Sequence, residues 1–152
     1  MSTIGIVVLA VALAATAAAA WWQRTRDGAV RPRSPEEEQV TSSSAAESAA
    51  FERLGVRPAD ADLTVVQFST AFCGPCRATK ARLAQLQATR PGLAVVQVDA
   101  ESHLDEVRAL DVRRTPTLFY LDRAGAVVAR SCGALRPDEL TALADAHAGA
   151  SR

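Results

Sequence analysis

Leu63 to Val98 reads LTVVQFSTAFCGPCRATKARLAQLQATRPGLAVVQV. Its two ends, LTVVQF (Leu63–Phe68) and LAVVQV (Leu93–Val98), are short runs rich in β-branched residues, the pattern of largely buried strands. Between them, Cys76 to Arg90 carries helix formers, and Pro91-Gly92 stops the helix. A strand–helix–strand unit of this length demands a right-handed parallel crossover. Downstream, Ser102 is placed to cap a helix running to Leu110, with Asp105 in the acid-favouring first turn. TLFYL (Thr117–Leu121) reads as a third strand, DRAG (Asp122–Gly125) as a turn, and AVVAR (Ala126–Arg130) as the returning arm of a hairpin. Pro137 opens a last helix with Leu140, Leu143 and Ala144 on one stripe, closing near Gly149. The expectation is an α/β domain (α+β under another convention): a mixed central sheet with helices on both faces.

The upstream chain has a different character. RPRSPEEEQVTSSS (Arg31–Ser44) mixes Pro, Ser and acidic residues with little to bury, so it reads as a tether. SAAESAAFERL (Ser44–Leu54) has good helix formers, with Phe51 and Leu54 spaced by three, and leads into the domain as a short helix. Before the tether, TIGIVVLAVALAATAAAAWW (Thr3–Trp22) runs 20 residues without a charge. As a helix it would reach about 30 Å, the thickness of a bilayer's hydrocarbon core. Trp21 and Trp22 stand where interfacial aromatics belong, and Arg24, Arg26, Arg31 and Arg33 follow. A cleaved secretory signal would carry its basic residues at the other end. The partition expected is therefore a single-pass transmembrane anchor over 3–22, a flexible linker over 23–45 and the folded domain over 46–152. The positive-inside rule puts that domain in the cytoplasm; an extracytoplasmic domain is the alternative.

Seventeen basic residues balance seventeen acidic ones, so no excess of positive charge asks for nucleic acid. Three cysteines are too few for a disulfide scaffold, and zinc needs four ligands where no second CxxC exists. Cys132, His103 and His147 are scattered singly, which argues against a metal site. The Cys73–Cys76 pair is different. Cys76, Thr79, Leu83 and Leu86 fall at spacings of three and four, so they share the stripe that packs on the sheet, and Cys76 is expected to be buried. Cys73 comes just before the helix, where unpaired N–H groups and the positive pole of the dipole stabilise a thiolate. Arg77 and Lys80, off the buried stripe, add positive field. Gly74 allows close backbone approach, and Pro75 suits a first helical turn. Two space-filling cysteines do not account for one exposed at a helix N-terminus with the other in reach; a redox pair does.

Phe68 to Lys80 (FSTAFCGPCRATK) resembles the active-site segment of the thioredoxin family, and RRTPTLFYLDRAGAVVARSCG (Arg113–Gly133) resembles that family's proline loop, hairpin and closing glycine. The likeness covers Leu63 to Ala148; the family's first strand is not evident in the residues before it. The resemblance implies a thioredoxin-like fold and a thiol–disulfide oxidoreductase without a cofactor, working on protein thiols and disulfides with a reductase or thiol donor. In that mechanism Cys73 attacks a substrate disulfide and Cys76 resolves the mixed disulfide. Pro116 would be cis, the Thr115 backbone would pair with bound peptide, and Gly133 would let the substrate chain come close.

Three departures stand out. Phe72 occupies the place of a usual tryptophan, keeping an apolar lip without an indole N–H. Gln67 stands where a buried aspartate usually helps deprotonate the second cysteine, and Val95 takes the position expected for that aspartate's lysine partner. An amide cannot accept the Cys76 proton as a buried carboxylate can, so resolution would depend on water and Gln67→Asp would speed it; a core amide with satisfied hydrogen bonds is the plain reading. Cys132, beside Gly133, reads either as a small residue lining the groove or as a third redox thiol. Other readings of the whole are a groove-binding module with little turnover, a domain serving envelope or cytochrome thiols, and CGPC holding a metal or cluster between subunits.

Overall fold

The structure is a computed structural model of the 152-residue chain and describes residues 3–26, 31–32, 41–133 and 136–147. Its elements are α1 (Thr3–Arg26), β1 (Arg31–Pro32), α2 (Thr41–Arg53), β2 (Leu63–Ser69), α3 (Gly74–Thr89), β3 (Leu93–Asp99), α4 (Leu104–Ala109), β4 (Thr117–Asp122), β5 (Val127–Cys132) and α5 (Pro137–His147), with a 3₁₀ turn at Pro58–Asp60. The expected end of the last helix at Gly149 lies outside the described residues.

The sheet runs β1-β5-β4-β2-β3. β2 and β3 are parallel, in the register Val65↔Val95 and Gln67↔Gln97. β4 runs antiparallel to β2, and β5 antiparallel to β4. The sheet is therefore mixed, as the sequence pattern expects. Period-two alternation divides its side chains between two cores. Val66, Phe68, Phe119 and Leu121 meet Ala50 and Phe51 of α2 and Leu110 beyond α4. There Phe119 takes both Phe51 and Phe68 edge-on, at 5.5 and 5.9 Å between ring centroids. On the other face Leu63, Val65, Leu118 and Tyr120 meet Leu83 of α3 and Leu140 and Ala144 of α5. Helices thus cover both faces, and β2, buried from Leu63 to Phe68, sits at the centre.

Several boundaries differ from the sequence pattern for local reasons. α3 starts at Gly74 instead of Cys76, because the Cys73 side chain caps it. Ser102 does not cap α4, which begins at Leu104 after His103 with no side-chain cap bond. Its hydroxyl donates to Asp99 Oδ2 at 2.5 Å, while Asp99 Oδ1 accepts the Glu101 N–H at 3.1 Å, a side-chain turn that outcompetes the cap. The hairpin's second arm begins at Val127 and runs on to Cys132. Within the stretch expected as linker, Arg31–Pro32 pairs antiparallel with Arg130–Ala129 and forms the edge strand.

α1 is helical from Thr3 to Arg26. Its described side chains run over residues 7–22, all exposed, including Val7, Val8, Leu9, Val11 and Leu13. Among the described residues no helix is long and apolar enough to cross a membrane.

Candidate active site

β2 ends at Ser69, and the chain turns through Thr70–Phe72 into the N-terminus of α3. Cys73 is the N-cap of that helix, in extended backbone conformation (φ −81°, ψ 97°). Its Sγ accepts the Cys76 N–H at 3.2 Å, the seat that a serine or aspartate oxygen usually fills. Pro75 in the first turn lacks only an N–H that the helix would leave unpaired. The two sulfurs are joined in a disulfide with their Cα atoms 5.2 Å apart. Burial separates their roles: Cys73 is partly accessible, and Cys76 is 3% exposed on the same stripe as Thr79 and Leu83. A thiolate at Cys73 thus faces solvent, one N–H donor and the positive helix pole together. Phe72, 96% exposed, stands as a bare aromatic beside the disulfide. Arg77 and Lys80 are both exposed on α3.

A second loop closes the site. The Thr115–Pro116 peptide bond is cis, and Pro116 is buried. Thr115 Oγ1 lies 3.5 Å from Thr70 Oγ1, which ties this loop to the turn before Cys73. The Thr117 hydroxyl donates to the Arg114 carbonyl at 2.7 Å, and the Gly133 N–H donates to the Pro116 carbonyl at 2.8 Å. Gly133 has φ 94°, a left-handed conformation that favours glycine. Upstream of the loop, Asp111 is left-handed too (φ 48°), and Arg130 Nη2 donates to its carbonyl at 2.7 Å. Arg130 in turn lies over the Phe119 ring, 4.8 Å from its centroid. The Arg113 guanidinium, 2.8 Å away, holds the Asp111 carboxyl below its ordinary range.

Gln67 lies under the disulfide, fully buried. Its Nε2 donates to the Cys76 carbonyl at 3.0 Å, and its Oε1 accepts from Gln97 Nε2 at 3.2 Å. The residue facing Gln67 is therefore Gln97. Val95 pairs with Val65 instead, which corrects the placement expected from the sequence. Gln97 and Thr70 are the site residues the sequence reading missed. The signal for Gln97 was present in the repeated VVQ of residues 65–67 and 95–97, which the parallel register superimposes. Cys132 is a free thiol, half-buried, opposite Thr117, with its Sγ 3.6 Å from the Thr117 hydroxyl oxygen. It shares the sheet face of Thr117 and Phe119, whereas α3 packs on the other. Among the described residues no three His, Cys, Asp or Glu side chains gather as a metal site would require.

Comparison with known proteins agrees with this geometry. The thioredoxin family model matches residues 44–146. Thioredoxin H4-1 of Oryza sativa subsp. japonica is 34% identical over 89 residues, covering 57% of this chain and 67% of that one. Among solved structures, thioredoxin f2 of Chlamydomonas reinhardtii superposes with a TM-score of 0.54 at 27% identity, over 66% of this chain and 91% of its own. Fasciola hepatica thioredoxin gives 0.55 at 25% identity, over 65% and 93%. The chain belongs to the thioredoxin family, and its close Cys73–Cys76 pair makes it a thiol–disulfide oxidoreductase.

Proposed function

We propose that Cys73 is the attacking thiol and Cys76 the resolving one in the reduction of protein disulfides, and that the Thr115–Pro116 loop, Gly133 and the Phe72 lip hold the substrate chain. The observation that carries this reading is the asymmetry of the pair: an accessible sulfur at the N-cap, a buried one a turn below. Family membership implies protein thiols and disulfides as substrates and a reductase or thiol donor as the source of electrons. The test is reduction of insulin disulfides by the full-length chain with a thiol donor. Cys73→Ser abolishes turnover, whereas Cys76→Ser accumulates a mixed disulfide on Cys73. Trapped substrate on Cys76 in place of Cys73 reverses the assignment, and binding without turnover supports a holding module.

The reading of residues 3–22 as an anchor rests on the sequence: 20 uncharged residues, a Trp pair and arginines on one flank only. With that polarity the catalytic domain lies on the cytoplasmic side. A membrane-impermeant maleimide applied to intact cells should leave Cys73 unlabelled until the cells are opened. Labelling in intact cells places the domain outside, and release of the chain from membranes by carbonate dismisses the anchor.

A further inference from the structure

The Gln67 side chain is committed at both ends, and chemistry fixes which way it points. The Cys76 carbonyl can only accept, so the Nε2 end must face it, 3.0 Å away. That leaves Oε1 to receive the Gln97 Nε2–H at 3.2 Å. Gln67 is fully buried on the central strand, while Gln97 lies exposed on the edge strand β3. A hydrogen-bond chain therefore runs from the surface of β3, through β2, to the backbone of the buried cysteine. Neither amide ionises.

We propose that Gln97 and Gln67 form an amide clamp in which Gln97 orients Gln67, Gln67 holds the Cys76 carbonyl and so positions that residue for resolution, and the Cys76 proton leaves to solvent. This rests on the assignment of Cys73 as attacker and Cys76 as resolver. In the first step the Cys73 thiolate displaces one substrate thiolate and forms a mixed disulfide. In the second, Cys76 loses its proton to water or hydroxide and its thiolate attacks the Cys73 sulfur. The mixed disulfide breaks, the second substrate thiolate leaves, and the Cys73–Cys76 bond forms. Two electrons pass from the dithiol to the substrate. A clamp of neutral amides orients the nucleophile but takes no proton. Resolution then tracks the fraction of Cys76 ionised by solvent alone, rising tenfold per pH unit up to the thiol's own pKa with one inflection. Gln97 and Gln67 are positioning residues in this scheme.

Single-turnover reduction of the chromogenic disulfide dithiobis(nitrobenzoate) by the reduced full-length chain, with the free Cys132 thiol removed by Cys132→Ser in every protein compared, separates the steps, because attack and resolution each release one coloured thiolate. Between about pH 5 and pH 9, the second phase of the wild type should show a single ionisation. Gln97→Ala should slow that phase roughly threefold to tenfold, the worth of one neutral hydrogen bond, and leave the first phase unchanged. Gln97→Lys, which restores a donor to Gln67 Oε1, should recover most of the rate. Gln67→Glu should add a second inflection, from its own carboxyl. A second inflection already present in the wild type, or an unchanged second phase in Gln97→Ala, overturns the clamp. Persistence of the first phase in Cys73→Ser overturns the underlying assignment instead, so the two failures are distinguishable.

Discussion

Gly92→Ala tests how the two parallel strands are joined at the end far from the disulfide. The Gly92 carbonyl accepts the N–H groups of both Asp62 (2.8 Å) and Leu63 (3.1 Å), pinning the start of β2 to β3. A methyl at position 92 would overlap Asp62 Oδ2 and stand 3.0 Å from its Cγ and 3.3 Å from its Cβ. The carboxylate must swing away, and with it goes the ion pair to Arg123 Nη2 at 2.6 Å. Overpacking of this kind costs about 1–3 kcal/mol. The half-exposed ion pair contributes about 0.5–1 kcal/mol, and alanine's restriction of the unfolded chain returns about 0.4–1 kcal/mol. The expected net loss is centred on about 2 kcal/mol, roughly 8–16 °C in Tm for a domain near 100 residues. Urea denaturation of four proteins (wild type, Gly92→Ala, Asp62→Ala and the double variant) measures it. In the Asp62→Ala background Oδ2 and Cγ are gone and only the 3.3 Å contact to Cβ remains, so Gly92→Ala should cost much less than in the wild type. Disulfide reduction by the folded protein should be unchanged, since Cys73 follows the opposite end of β2. An equal cost with and without Asp62 would refute the steric account.

Other substitutions separate packing from chemistry. Burial pushes the Tyr120 hydroxyl from its ordinary value near 10 up to about 12, against the opposing pull of its hydrogen bond to Ser131. Its folded pKa being raised, Tyr120 favours folding fully below pH 10, and that contribution, about 2–3 kcal/mol, is lost as pH rises from 10 to 12. Tyr120→Phe should therefore flatten the alkaline loss of stability relative to wild type, and parallel denaturation curves across that range would contradict the assignment. Leu83→Ala, at a fully buried position on the sheet-facing side of α3, should destabilise by about 2–5 kcal/mol in urea titration. Phe72→Ser should leave stability within about 0.5 kcal/mol, because the ring packs on nothing, yet raise KM for a protein disulfide roughly threefold or more with little change for a small aromatic disulfide. A matching loss on both substrates would remove Phe72 from substrate contact.

Residues with strong local chemistry made most of this molecule legible in its sequence. The β-branched runs at 63–68 and 93–98, the proline–glycine stop at 91–92 and the Cys76–Thr79–Leu83 stripe specify two strands, a helix and its buried face, all found in the fold. The disulfide pair was readable because a helix N-terminus and a buried stripe meet there. What periodicity could not show depends on contacts between distant segments. Arg31–Pro32 gains strand geometry only from the β5 edge. Ser102 is diverted by Asp99. Cys73 was readable as the residue before α3 and Pro75 as part of its first turn, although the run of helix formers alone pointed to a start at Cys76. The cis state of Pro116 came from resemblance, because no local pattern distinguishes it from the commoner trans form. Gln97 became visible only with the register that sets it against Gln67.

Titration of the two thiols in the reduced full-length chain, followed by the pH dependence of alkylation at each, bears most directly on the central claim. With its sulfur at the α3 N-cap, Cys73 should ionise well below the ordinary free-cysteine value of about 8.5 and react first, while buried Cys76 stays protonated and slow. Equal reactivity of the two, with Cys73 no more acidic than an ordinary free cysteine, would contradict it.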